Sequence, residues 1–118
     1  MLSQKSIFFK MPLLLWAAFI LVLSLIPPSS LPESSIIGID KLVHLVFYFI
    51  FMWLCMLGWD MSLKKALVLA VSYGLLIEIL QHTLTSLRYF DLFDVVANSI
   101  GALLFYVLKV FKSETNSR

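Results

Sequence analysis

The chain has a single cysteine among its 118 residues, only four glycines and four prolines, and charged residues make up just 14% of it. Cys55 alone excludes an intramolecular disulfide, and its apolar neighbours mark it as a small core or lipid-facing residue. The charges are scattered and sum to only +2, with no basic face, which argues against nucleic acid as a partner. No small-x-small cleavage site follows the first apolar run; IPPSSLPESS stands there instead, so that run reads as a retained helix rather than a signal peptide. Internal repeats are absent, and the one biased tract is the polar tail KSETNSR.

What the chain has in abundance is hydrocarbon. Apolar residues make up 61% of it and the mean hydropathy is +0.98, far beyond the needs of a soluble domain of this size. The expected class is an all-α polytopic membrane protein. Apolar runs at 11–26, 42–59, 66–77 and 95–108 predict four transmembrane helices, at about 8–26, 40–58, 63–82 and 91–110. These form one domain over 1–112, and 113–118 is expected as a polar cytoplasmic tail. Pro12 is expected in the first turn of helix one, where the missing N–H costs little. Pro27, Pro28 and Pro32 end that helix and make 27–39 an irregular loop.

Cations are retained on the cytoplasmic side of a membrane, and their positions orient the chain. With both termini inside, Lys5, Lys10, Lys64, Lys65, Lys109, Lys112 and Arg118 are cytoplasmic, leaving only Lys41 and Arg88 outside. Glu33, Asp40, Glu78, Asp91 and Asp94 then fall toward the outside, so the unusual polar chemistry is expected at the outer face of the plasma membrane.

Three constellations meet there. In DKLVH, Asp40, Lys41 and His44 share one helical face. In EILQH, Gln81 and His82 follow Glu78 by one turn. In RYFDLFDVVANSIG, Asp91, Asp94, Asn98 and Gly101 are spaced 3, 4 and 3, a single stripe along helix four. Folding helices three and four as a hairpin sets Glu78 against Asp94 and Asn98. It also sets Gly74 and Gly101 at similar depth, where the backbones can approach closely.

Energies separate these acids. A lone aspartate at mid-membrane costs about 2.5 to 3.5 kcal/mol, but much less near the interface. Asp91 and Asp94 stand at a helix start, where capping and the dipole are worth about 0.3 to 1 kcal/mol. Glu78 lies on the last turns of helix three, where the dipole opposes an anion. It therefore calls for a partner, Arg88 or Lys41, or for a function. A metal reading requires His44, His82, Glu78 and Asp94 to converge, and no run carries the spacing of a zinc motif, so no metal and no cofactor are expected.

Taken together, SLIPPSSLP, DKLVHLVFY, GLLIEILQ and the arginine followed by DLFDVVANSIG resemble the VanZ-like membrane proteins over about residues 25–108. The resemblance implies a small helical membrane protein, and the founding member of that family is associated with low-level resistance to the glycopeptide teicoplanin. By position, the family's characteristic polar residues correspond to Asp40, Lys41, His44, Glu78, Gln81, Arg88, Asp94, Asn98 and Gly101; His82 and Asp91 stand outside the pattern.

Two functional classes stay open. One is an outer-leaflet site, with Glu78 and Asp94 as acid and base or as cation holders. Asp40, Lys41, His44, Gln81, Arg88 and Asn98 would then bind a lipid or cell-wall precursor headgroup. The other is a non-catalytic envelope protein whose polar layer locks the bundle or binds a partner. A small multidrug transporter fits poorly, because helix one lacks the membrane-embedded glutamate such proteins carry.

Overall fold

A computed structural model describes residues 4–26, 39–85 and 91–116. Those residues form four helices and no strand: α1 Gln4–Leu25, α2 Ile39–Trp59, α3 Leu63–Leu84 and α4 Leu92–Asn116. Three of them, α1, α2 and α4, are long and apolar enough to cross a membrane. α3, which carries Lys64, Lys65 and Glu78 among its apolar residues, is not in that group.

The bundle is apolar outside and encloses a few buried polar side chains within an apolar core. Phe8 is 75% exposed and Phe93 74%, with Leu15, Val22, Val68, Leu75, Leu76 and Phe111 also facing outward, while Glu78, Gln81 and Asn98 are buried. In water this distribution would leave a large sticky surface. In lipid it is the expected arrangement, and it makes the chain a membrane protein.

Lipid gives apolar helices no hydrophobic reason to associate, so close packing and interhelical hydrogen bonds hold them. α1 is tied by three such bonds. Trp16 Nε1 donates to the Phe47 carbonyl at 2.9 Å, Tyr73 Oη to the Ala17 carbonyl at 2.5 Å, and Gln81 Nε2 to the Ser24 carbonyl at 2.8 Å. α2 and α4 approach so closely that a Cβ on Gly101 would overlap the Leu45 backbone. Gly101 thus serves α2 rather than α3, which corrects the hairpin expectation. Gly74 does face α4: a Cβ there would lie 3.0 Å from Asn98 Nδ2.

Two boundaries differ from those expected. α1 begins at Gln4, so Pro12 lies inside the helix rather than in its first turn. α4 runs on to Asn116, because the tail keeps hydrogen bonding in helical register, with Thr115 Oγ1 donating to the Phe111 carbonyl at 3.0 Å. Between α2 and α3, Asp60 turns the chain at φ 45°, and Ser62 caps α3 by accepting from Lys65 N at 3.3 Å.

Candidate functional site

The C-terminal ends of α1 and α3 and the N-terminal ends of α2 and α4 lie together. Each of three helices contributes an inward pair one turn apart: His44 and Tyr48, Gly74 and Glu78, Asp94 and Asn98. The 3.6-residue period alone puts the members of each pair on one face. Tertiary packing turns the three faces toward each other.

Lys41 is the hub of the mouth. Its Nζ donates to Asp91 Oδ2 at 2.7 Å and to Asp94 Oδ1, and lies 3.0 Å from Asp40 Oδ2. The expectation that Lys41 is free to grip an anionic headgroup is therefore corrected: its charge is already committed to three aspartates. Asp91 also caps α4, its Oδ1 accepting from Phe93 N at 2.9 Å. The Lys41 hydrogen bond holds the Asp91 carboxyl below its ordinary 3.8. Its folded value being the lower one, Asp91 stabilises the fold above 3.8, and that contribution disappears as pH falls through the folded value.

Beneath the mouth lies a triad. One donor atom each from His44, Glu78 and Asp94 lies within 4.8 Å of the others. His44 Nδ1 is 2.9 Å from Asn98 Oδ1, so with that oxygen accepting, Nδ1 donates, and in the neutral ring Nε2 keeps its lone pair. Nε2 in turn is 3.7 Å from Asp94 Oδ2. Glu78 is 0% exposed, and neither of its carboxylate oxygens has a hydrogen-bond partner among the described residues. Neither expected partner is seen there: Lys41 is engaged elsewhere, and Arg88 lies outside the described residues.

Asn98 Nδ2 and Tyr48 Oη are likewise buried without partners. Most buried polar groups in folded proteins are satisfied, and each orphan costs about 1 to 3 kcal/mol. Three residues orphaned side by side mark a place where the fold is not arranged for its own stability. The charge count agrees: Asp40, Asp91, Asp94 and Glu78 surround one committed lysine. Were both ionised, carboxylates as close as Glu78 and Asp94 would repel by about 3 kcal/mol at an effective dielectric near 20. A positive charge or strong donors placed among them would be favoured.

A cleft of about 230 Å³ adjoins the triad between α1, α2 and α3. Ile20, Leu23, Val43, Phe47 and Ile77 make its walls apolar, and Asp40, His44, Ser24 and Gln81 give it a polar edge. His44 belongs to both cleft and triad.

The structure thus gathers Asp40, Lys41, His44, Glu78, Asp94 and Asn98 at one end of the bundle. Gln81 binds the Ser24 carbonyl and lines the cleft instead. His82 is exposed and takes no part in the triad, so the convergence includes three of the four residues considered. Tyr48 and Ser24 were missing from the expected set. Tyr48 has the apolar surroundings of a belt aromatic, and Ser24 contributes through its backbone, which carries no side-chain signal.

A bundle with an apolar exterior and a buried, under-satisfied polar centre defines a small helical membrane protein built around an internal polar site. The particular family follows from comparison: the family model described as VanZ/LLP1 matches residues 3–112, nearly the whole chain. The chain belongs to that family. No curated protein and no solved structure gives a match.

Proposed function

We propose that this VanZ-family protein handles an amphiphile at the outer leaflet of the plasma membrane. The polar head of a lipid or lipid-linked cell-wall precursor lodges at His44, Glu78 and Asp94, and its hydrocarbon enters the adjoining cleft. The carrying observation is Glu78, buried, without a hydrogen-bond partner among the described residues, and within 4.8 Å of His44, the triad member that lines the cleft. In this reading all four helices span the membrane with both termini inside. α3 is long enough, its 22 residues covering about 33 Å at roughly 1.5 Å per residue, and Glu78 and Gln81 turn inward. Lys10, Lys64, Lys65, Lys109 and Lys112 gather at the opposite end from the triad, the arrangement cytoplasmic cations favour.

The site holds an excess of acid. A head rich in hydroxyl or amine donors suits it better than a bare phosphate, because the one described cation at the mouth is engaged by three aspartates. The physiological consequence, following the family's phenotype, is a change in teicoplanin susceptibility. The alternative is a non-catalytic envelope protein, which the Lys41 cluster favours, since that cluster is a satisfied clasp between α2 and α4. Glu78 does not fit a clasp.

The test is single substitution of Glu78→Gln, Asp94→Asn and Arg88→Lys, scoring folded yield separately from glycopeptide susceptibility. Loss of the susceptibility change at undiminished yield is expected. Loss of yield in step with function in every variant would leave the structural alternative standing. Cysteines placed at positions within 27–38 should be labelled from outside the cell; labelling only from the cytoplasmic side would reverse the orientation.

A further inference from the structure

We propose that His44, Glu78 and Asp94 form a three-ligand site for a divalent transition-metal ion, zinc matching the donor set best. Asp94 Oδ1 is engaged by Lys41, leaving Oδ2 turned toward His44. His44 Nδ1 is engaged by Asn98, leaving Nε2 turned toward Asp94. Both Glu78 oxygens are unengaged in a fully buried position. Every member therefore presents an uncommitted donor to the same small space.

The supporting contacts are those a metal site requires. A ligating imidazole almost always donates its other N–H to an oxygen, which orients the ring and fixes the tautomer. Asn98 Oδ1 does this for His44. A ligating carboxylate is commonly held by a second hydrogen bond, and Lys41 does this for Asp94.

The choice of ion follows from chemistry. An imidazole ligand disfavours magnesium and calcium, which take oxygen alone, and the absence of thiolate disfavours copper(I). Three protein ligands of nitrogen and oxygen type, with room for a fourth, are the pattern of an open zinc site. Bonds of roughly 2.0 to 2.2 Å hold tetrahedral donors about 3.3 Å apart, so donors now spread over as much as 4.8 Å would draw inward on binding. Two carboxylates and a dication leave the buried centre neutral. The three ligands are 34 and 16 residues apart along the chain, which is why no motif announces them.

The proposal goes beyond the headgroup reading and does not need it, because its readout is metal content rather than susceptibility. Full-length protein in detergent is stripped with chelator, dialysed against zinc, desalted and assayed for metal. About one zinc per chain is expected, with binding weakened at least about tenfold in Glu78→Gln, Asp94→Asn and His44→Ala and unchanged in His82→Ala. Asn98→Ala, which spares the ligands, is expected to keep the stoichiometry while weakening affinity about 10- to 100-fold. If the ligand variants fail to fold, cobalt(II) added to the wild-type protein decides. A visible absorption band saturating at one equivalent and displaced by zinc supports the site. Absence of stoichiometric zinc or cobalt in the wild type, or equal retention of zinc by all three ligand variants, overturns it.

Discussion

Replacing Gly101 by alanine, a change of one methyl group, is expected to destabilise the bundle by about 2 to 3 kcal/mol. Helix propensity alone predicts the opposite, since alanine is favoured over glycine by about 0.8 to 1.0 kcal/mol in a helix interior. Packing wins because a Cβ at 101 would overlap the Leu45 backbone of α2. A main chain cannot swing aside as a flexible side chain does, so α2 and α4 must separate along the seam that carries Lys41 and Asp94. The unfolding midpoint and the monodisperse fraction in detergent measure the loss. Gly74→Ala is the informative comparison. Its nearest neighbours are Asn98 Nδ2 at 3.0 Å, Asn98 Cβ at 3.2 Å and the Tyr48 ring at 3.3 Å, a milder crowding than the overlap at Gly101. That variant is expected to disturb the site more than the fold. Equal stability of Gly101→Ala and wild type would show that α2 and α4 do not pack as described.

Lys41→Met is the second large effect, at about 1.5 to 3 kcal/mol, the range for removing a charged hydrogen-bond partner from a carboxylate. Asp94 carries most of it. Its side chain is only 12% exposed and Lys41 engages one of its oxygens, whereas Asp91 is 40% exposed and water replaces the lost partner there. The effect is expected to shrink when Asp94 is also neutralised: Lys41→Met with Asp94→Asn should cost less than the two single changes added together. Thermal unfolding of the four proteins gives the coupling directly. Strict additivity would mean that the pair contributes nothing jointly, and the clasp between α2 and α4 would have to be given up.

The parts of this architecture readable in advance are those that depend on neighbours in sequence. Hydropathy locates four helices to within a few residues at most ends, and the 3, 4, 3 spacing of Asp91, Asp94, Asn98 and Gly101 puts them on one stripe of α4. Asp91 as a cap follows from its position before Leu92. Partners across the bundle were harder to read. Lys41 meets Asp91 and Asp94 across 50 and 53 residues, and a hairpin argument confined to α3 and α4 has no way to show that α2 lies against the same stripe. Sequence alone therefore sets Gly101 against α3 and leaves Lys41 open between Glu78 and an external anion. Pro12 and the tail show a local limit of a different kind. Composition identifies where apolar sequence stops, but a helix continues past that point while its backbone stays hydrogen bonded, as α4 does to Asn116. Glu78 is the intermediate case. Its unfavourable place near the C-terminal end of α3 singles it out from sequence, and only the assembled bundle reveals that no described side chain answers it.

Glu78 therefore carries the central claim, that this polar centre is kept for binding and not for holding the helices together. The most direct measurement is the unfolding midpoint of chelator-treated Glu78→Gln against wild type in the same detergent. A buried carboxylate with neither oxygen hydrogen-bonded among the described residues has little to lose to an amide of the same shape. The midpoint of the variant is expected to equal or exceed that of wild type, by up to about 1 to 3 kcal/mol of stability. A midpoint lowered by a similar amount would mean that the carboxylate has a structural partner, and that the site is a clasp after all.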